Sequence, residues 1–298
     1  MKTLRITVLA GGPSAEREVS LVSGKAIADA LAARGHSVHL ADIGPENLAA
    51  LDRPADVIFP ALHGTWGEDG KLQKILEQRG LRFVGCGSRA SATAMDKVMT
   101  KQVAIDLGID TAPYEVVTSA ANCTLGAPCA VKPVDQGSSV ATTMVKKTED
   151  LKAAIEKTIA IFGRALVERF IEGEELAQGV VGGQAMPPVV IRPKREFYDY
   201  EAKYHSDDTE YVLDTGYPAP LLERIAADSK RLFEALGCRH LSRVDWIIDR
   251  GQKPWLLEIN TMPGFTSHSL LPRAAGRAGI SFGELCERLV RMALEGAA

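Results

Sequence analysis

Asp245, Glu258 and Asn260 could hold a metal ion, and Arg243 stands beside them. From Arg243 to Asp249 the chain alternates, so Arg243, Asp245, Ile247 and Asp249 point one way and Val244, Trp246 and Ile248 the other. Arg250-Gly251-Gln252-Lys253 reads as a turn, and Pro254 opens a second strand in which Leu256, Glu258 and Asn260 share a face. Pairing Asp249 with Pro254 across that turn sets Asp245 opposite Glu258. Three hard oxygen donors on one wall suit Mg²⁺, which takes one or two carboxylates and completes its shell with water and phosphate. The solvated face of an ordinary hairpin alternates in the same way, so the spacing leaves both readings open. The polar loop from Asn260 to Ser269 follows, and its hydroxyls and backbone N–H groups suit a carboxylate or phosphate.

Other candidates sit on loops. Lys132 precedes the turn Gly137-Ser138-Ser139, whose N–H groups and hydroxyls, with one fixed positive charge, suit a phosphate cover. Any hairpin can carry such a turn. No G-x-x-x-x-G-K-[ST] sequence occurs, which excludes a P-loop, and GGPSAE after the first strand lacks the G-x-G-x-x-G spacing of a dinucleotide site. Glu16 falls in the first turn of a helix, where a carboxylate stabilises the dipole. His63 follows a buried strand, where a lone histidine is more often structural. Lys194 to Tyr211 is rich in charge and tyrosine and poor in aliphatics, which predicts a long loop, either a lid or a disordered segment.

The elements that must position these residues follow from periodicity. Strands at Leu4 to Leu9, Ser37 to Ile43, Asp56 to Leu62 and Arg82 to Val84 alternate with helices at Val19 to Leu31 and Lys71 to Gln78, which predicts a doubly wound α/β unit ending near residue 90. A helix over Ser91 to Leu107 carries Asp96 and Lys97. Strands are expected at Tyr114 to Thr118, Cys129 to Lys132, Val140 to Lys146, Arg164 to Ile171, Leu176 to Val181 and Pro188 to Ile191, with Glu172 to Glu175 as a connection. Helices are expected at Thr148 to Ile161 and Leu222 to Leu236, and Ser281-Phe282-Gly283-Glu284 is a capping box for a last helix. A chain of 298 residues suits two or three compact units. With 46% hydrophobic and 24% charged residues and a net charge of −3, it has the composition of a soluble globular protein and no basic footprint for nucleic acid. No apolar run reaches a membrane span, and Met1 to Leu4 lacks the features of a signal peptide. Cys86, Cys123, Cys129, Cys238 and Cys286 are odd in number and contain no CxxC, which points to reduced thiols in a cytoplasm.

SRVDWIID and LEINTMPGFTSHSL together resemble the metal-binding end of an ATP-grasp ligase, and in particular the D-alanine–D-alanine ligase family. LAGGPSAEREVSLVSG and ALHGTWGEDG are similar to that family's loops for the first D-alanine, which implies Glu16 on its ammonium group and His63 near its carboxylate. MDK and VKPVDQGSSV resemble the phosphate-contact helix and glycine-rich flap, implying Lys97 and Lys132 on phosphates and Ser138 at the flap tip. LVERFIEGEE resembles the adenosine stretch, with Glu168 accepting from the adenine amino group, Ile171 using its backbone and Glu175 on the ribose. FYDYEAKYHSDDTEY resembles the lid, with Lys203 on phosphate and the Tyr204 hydroxyl meeting Ser138 and Glu16.

The resemblance covers nearly the whole chain and carries a set of expectations. The fold would be α/β, an N-terminal doubly wound Rossmann-like domain (1–92) followed by a two-part ATP-grasp fold: a central subdomain (93–175) and a C-terminal subdomain (176–298) with the metal site and lid. ATP would phosphorylate one D-alanine, a second would attack the D-alanyl phosphate, and the product, D-alanyl-D-alanine, would serve peptidoglycan precursor synthesis. Two Mg²⁺ ions, with Mn²⁺ as a substitute, would sit on Asp245, Glu258 and Asn260. Arg243 would stabilise the oxyanion with help from the Gly264 N–H, and Ser269 and Leu270 would bind the second carboxylate through backbone N–H groups. A homodimer in the cytoplasm is expected. Met262 stands where many relatives carry a small polar residue, Ala141 where glycine is common, and Leu176-Ala177-Gln178 replaces a Thr-Val-like continuation. The rival readings are a D-alanine–D-lactate or other ATP-grasp carboxylate–amine ligase, a non-catalytic nucleotide sensor and, remotely, a nicotinamide-dependent dehydrogenase.

Overall fold

The apolar run RITVLAG forms β1 (Arg5–Gly11), followed by α1 (Arg17–Ala33), β2 (Ser37–Ile43), β3 (Val57–Pro60) and α2 (Lys71–Gln78). In this computed structural model, which describes residues 2–137, 140–193 and 209–296, those strands make a parallel sheet in the order β2-β1-β3. All four β3 residues are buried, as a strand covered on both faces requires. The strand expected at Arg82 to Val84 shrinks to a single parallel bridge between Phe83 and Ile58.

One long helix was expected over Ser91 to Leu107, and two are found, α3 (Ser88–Met95) and α4 (Lys97–Asp106). Asp96 separates them in an extended conformation, and its carboxylate accepts from the Val98 and Met99 N–H groups at 2.9 and 3.0 Å. An aspartate is a strong N-cap, and the break places Lys97 on the first residue of α4.

Beyond α4 the chain forms β4 (Tyr114–Val117), β5 (Cys129–Lys132), β6 (Thr143–Val145), α5 (Thr148–Phe162) and β7 (Ala165–Arg169). The strands join antiparallel in the order β4-β7-β5-β6, and α5 covers one face. Then come β8 (Gly173–Val181), β9 (Gln184–Ala185), β10 (Val189–Pro193), β11 (Thr209–Val212), α6 (Ala219–Ala235), β12 (Leu241–Asp249), β13 (Pro254–Asn260), α7 (Leu270–Arg277) and α8 (Phe282–Glu295). Their sheet runs β11-β10-β8-β12-β13, with β9 on β8. The connection expected at Glu172 to Glu175 is the start of β8. A Cβ on Gly173 would come within 2.2 Å of the Ile248 carbonyl oxygen, so only glycine admits this strand pairing. Thr209 to Tyr211, expected within the lid loop, pair with β10; the rest of that expected lid, 194–208, lies outside the described residues.

The hairpin differs from its expected register in an instructive way. Ile248, not Asp249, faces Pro254; Trp246 faces Leu256; then the register shifts and Asp245 faces Glu258. Leu257 is the extra residue of a β-bulge. It turns Leu256 onto the core face with Trp246 and Ile248, and Glu258 onto the face of Asp245. The opposed carboxylates are as expected, but Leu256 does not share their side.

The last helix returns to the first sheet. Leu285, Leu289 and Val290 of α8 pack with Ile27 and Leu31 of α1 and Phe59 of β3, and Arg34 pairs with Glu287. Ser281 caps α8 by accepting from the Glu284 N–H at 3.3 Å. Met262 is 3% exposed in the same core, beside Phe265 and Leu271.

Candidate active site

The two antiparallel sheets face one another across a cavity of about 490 Å³, within the usual range for a small-molecule site. Ala130, Met144, Phe170, Ile191, Ile247 and Trp255 give it apolar walls. Its lining also contains Lys97, Lys132, Glu168, Ile171, Glu175, Arg243, Asp245 and Glu258, eight of the residues singled out in the sequence.

The polar groups hold one another in pairs. Lys97 Nζ donates to the Gln136 carbonyl at 2.5 Å and lies 3.6 Å from Glu258 Oε2. Its backbone N–H donates to the Val134 carbonyl at 2.9 Å, so the start of α4 is stitched to the loop after β5. Arg243 forks Asp245, with Nε and Nη2 each 2.7 Å from a carboxylate oxygen. Asn260 Oδ1 accepts from the Met262 N–H at 2.8 Å, closing the turn out of β13.

Glu168 is the most enclosed acid of the cavity, 3% exposed, and ion-paired to both Lys101 and Lys132. Burial pushes its carboxyl up, but the ammonium groups of Lys132 and Lys101 outweigh this and hold it below the usual carboxylate range. Lys101 was not anticipated. It stands one turn after Lys97, a spacing that puts both on one face of α4, and that was the available signal.

A second polar cluster lies on the loops of the parallel sheet. Glu16 is buried at the start of α1, and a Cβ on Gly64 would come within 2.8 Å of its Oε2. His63 Nδ1 is 3.0 Å from the Met262 carbonyl, which only accepts, so Nδ1 carries a proton. The same nitrogen is 3.4 Å from Glu68, and Nε2 is 3.3 Å from Ser23 Oγ. Glu68 accepts from the Gly64 N–H at 3.0 Å and is another residue missed in the sequence. Burial pushes Glu68 up, and the Glu16 carboxylate adds to this against the bond from His63. For His63 burial acts downward, but Glu68 and Glu16 outweigh it and raise the imidazole. Trp66, between them, has φ +71°, strain of a kind that clusters at functional loops. Gly137 joins the two regions, since a Cβ there would lie 3.9 Å from both Glu16 Oε2 and Glu68 Oε2.

Of the remaining candidates, Gly264 packs against Ser269, its Cβ position 3.4 Å from the serine hydroxyl. The Ser269 N–H donates to the Thr266 carbonyl at 3.0 Å, so this amide is engaged within its own turn rather than offered to a carboxylate. Its hydroxyl accepts from the Thr266 N–H at 3.0 Å, and Leu270 begins α7. Ser138, Lys203 and Tyr204 lie outside the described residues.

Two sheets closing on one charged cavity, beside a doubly wound parallel unit, make this an ATP-grasp fold. A family model described as D-ala D-ala ligase C-terminus matches residues 104–291, and one described as D-ala D-ala ligase N-terminus matches 44–86. A D-alanine--D-alanine ligase of Bordetella parapertussis is 43% identical over 97% of this chain and 95% of its own. One of Haemophilus influenzae is 42% identical over 96% of this chain and 100% of its own. The crystal structure of a D-alanine--D-alanine ligase from Bacillus anthracis, complexed with ATP, superposes with a TM-score of 0.85 at 29% identity, covering 99% of both chains. The chain belongs to the D-alanine–D-alanine ligase family.

Proposed function

We propose that this protein joins two D-alanine molecules at the expense of ATP, forming D-alanyl-D-alanine for peptidoglycan precursor synthesis. The observation that carries the reading is the cavity in which Lys97, Lys132, Arg243, Asp245 and Glu258 converge, linked by Gly137 to the buried Glu16–His63–Glu68 corner. A carboxylate is a poor acyl donor because its charge repels an amine and oxide leaves badly. Transfer of the γ-phosphoryl group to a D-alanine carboxylate oxygen, with ADP leaving, removes both obstacles. The amine of the second D-alanine then attacks the acyl carbon and phosphate leaves.

The residues divide this work. Glu168 accepts from the adenine amino group, Ile171 contacts the base through its backbone and Glu175 binds the ribose. Lys97, Lys132 and Lys203 neutralise phosphate charge. Glu16 takes the first ammonium group and His63 lies by its carboxylate. Arg243 and the Gly264 N–H stabilise the tetrahedral oxyanion, while Ser269 and Leu270 hold the second carboxylate. Tyr204 and Ser138 link lid and flap to Glu16.

Among the described residues no three His, Cys, Asp or Glu side chains come together as a metal cage. Two opposed carboxylates and a carboxamide instead fit an ion that fills its shell with water and phosphate, so Asp245, Glu258 and Asn260 would hold two Mg²⁺, with Mn²⁺ as a substitute. Bound there, the ions would offset β- and γ-phosphate charge. We further propose the three-part division at residues 92 and 175, a homodimer and a cytoplasmic location. No helix of the described residues is long and apolar enough to cross a membrane.

Phosphate release with D-alanine, L-alanine, and D-alanine plus D-lactate tests the reading. Release with D-alanine alone and a dipeptide product are expected. Mainly ester product at neutral pH would favour the D-lactate ligase, and no release with any substrate would indicate a nucleotide sensor.

A further inference from the structure

Lys101 has its side chain 1% exposed, among the largest fully buried side chains of the described residues. An ammonium group so enclosed is costly unless paired. Its partners are Glu168 Oε1, Thr111 Oγ1 at 2.5 Å and, more distantly, the Tyr114 ring at 5.4 Å. Thr111 in turn donates to the Leu256 carbonyl at 2.9 Å, which fixes the lysine to β13. Lys97, Lys132 and Glu168 line the cavity, whereas Lys101 stands behind Glu168 and out of the ligand's reach. Two lysines therefore serve one carboxylate, and only one of them can turn to a ligand.

That asymmetry matters once a nucleotide binds. Lys132 faces the cavity and is the lysine assigned to phosphate, so ligand binding draws on its charge. Lys101 has no such alternative. An ionised carboxylate only accepts hydrogen bonds; a protonated one also donates. Adenine offers an N–H donor at C6, whereas hypoxanthine and guanine place an acceptor oxygen there. A site built around a buried acceptor discriminates strongly against a ligand with no donor for it.

We propose that Lys101 is a specificity-determining positioning residue: it keeps Glu168 acceptor-only while Lys132 serves the phosphates, so the cavity takes a 6-aminopurine nucleotide and rejects a 6-oxopurine one. This rests on the reading of Glu168 as the base contact. The charged and titratable groups facing Glu168 are Lys101 and, farther off, Lys97 from α4, Lys132 from β5 and Tyr114 from β4.

The test compares ATP with inosine triphosphate, measuring kcat and KM for phosphate release with D-alanine from pH 5.5 to 8.5. The wild type, Glu168→Gln, Lys101→Met and Lys101→Arg are used, each checked for folding by circular dichroism. In the wild type the ATP/ITP ratio of kcat/KM should be flat with pH. In Lys101→Met it should fall by about tenfold, roughly one hydrogen bond to a charged group. The loss should lie mainly in KM and deepen as pH falls. Lys101→Arg should restore most of the ratio. Glu168→Gln should lose it at every pH. A Lys101→Met protein with the wild-type ratio throughout, while Glu168→Gln has lost it, overturns the role of Lys101 and leaves Glu168 as the base contact. A Glu168→Gln protein that keeps the ratio overturns the base contact, and the proposal with it. If Lys101→Met does not fold, a wild-type ratio that falls on acidification is by itself enough to overturn the proposal.

Discussion

Glu168 and Glu68 are both buried carboxylates, 3% and 7% exposed, and their surroundings push them in opposite directions. Glu168 faces two ammonium groups and is held low. Glu68 shares its corner with a second carboxylate, Glu16, and an imidazole, and burial pushes it high. The first site has more base than acid, so its carboxylate is paired without a ligand. The second has more acid than base, which suits a ligand that brings its own cation, as an amino acid does. The same residue type at similar depth is thus held low in the cavity and pushed high in the corner.

Removing each charge is the strongest way to break this contrast. Glu168→Gln leaves Lys101 buried beside a neutral amide, and loss of one partner of a buried pair typically costs about 3–5 kcal/mol. Glu68→Gln keeps an oxygen for the Gly64 N–H and removes a charge that burial disfavours, so its stability should change by less than about 1 kcal/mol. Urea unfolding of the two variants measures both. Equal losses would mean that the two acids do the same structural work.

Asp245→Asn and Glu258→Gln come next. Their opposition across the bulge is the motive, and the proposed ions should be worth several kcal/mol in the transition state, or at least about 100-fold in kcat/KM. The fold should persist, since neither change opens a cavity. Turnover measured at limiting Mg²⁺ decides the matter, and near-normal rates in both variants would remove these residues from the metal site.

The pH dependence of binding should separate the regions more gently. A carboxyl raised above its ordinary value takes up a proton before one held low as pH falls, so Glu68 should lose its charge, and the corner part of its pull on an ammonium group, before Glu168 does. The KM for the first D-alanine should rise on acidification from pH 7.5 to 5.5. Glu168, held low, stays charged there, and the KM for ATP should change little. For stability the sign is the same as for any depressed acid: the Glu168 contribution is complete above its unfolded value, near 4.3, and is lost as pH falls through the lower folded value. A nucleotide KM that climbs in step with the D-alanine KM would erase the distinction.

The opposed carboxylates were legible because alternation in β12 and the turn at Arg250 to Lys253 bring Asp245 and Glu258 together in two ways, by direct pairing or through a bulge. The bulge itself was not legible. Trp255, Leu256 and Leu257 are all apolar, so nothing in their types says which one faces the core. Lys101 was missed for a related reason. A lysine on a helix is normally exposed, and its burial depends on Glu168, a partner brought close only when β7 docks against α4. Glu16 and His63 have bland structural readings in isolation, and the family resemblance singled them out. Glu68, between them in space, has no periodic signature at all. Asp96 did carry a readable signal, a capping aspartate, yet the helical pattern on either side masked the break.

The smallest effect expected concerns strain, which each region holds in one non-glycine residue. Ala141, beside the cavity wall, has φ +55°, and Trp66, in the corner, has φ +71°. The left-handed conformation costs an L-residue roughly 1–2 kcal/mol, so this position suits glycine better than alanine. Ala141 is exposed, so Ala141→Gly removes the strain and little else. Glycine also gains freedom in the unfolded chain, which offsets part of the benefit. The net should be a gain of about 0.5–1 kcal/mol, read as a higher urea midpoint with an unchanged slope. The same relief cannot be had at Trp66, which packs in the core with Leu62, Leu72 and Phe83. There the lost burial, about 3–5 kcal/mol for a large aromatic, exceeds any strain removed. Strain beside the cavity is therefore separable from packing, and strain in the corner is not. An Ala141→Gly protein no more stable than the wild type would mean that the turn before β6 relaxes around its alanine, and that only the corner holds its backbone under tension.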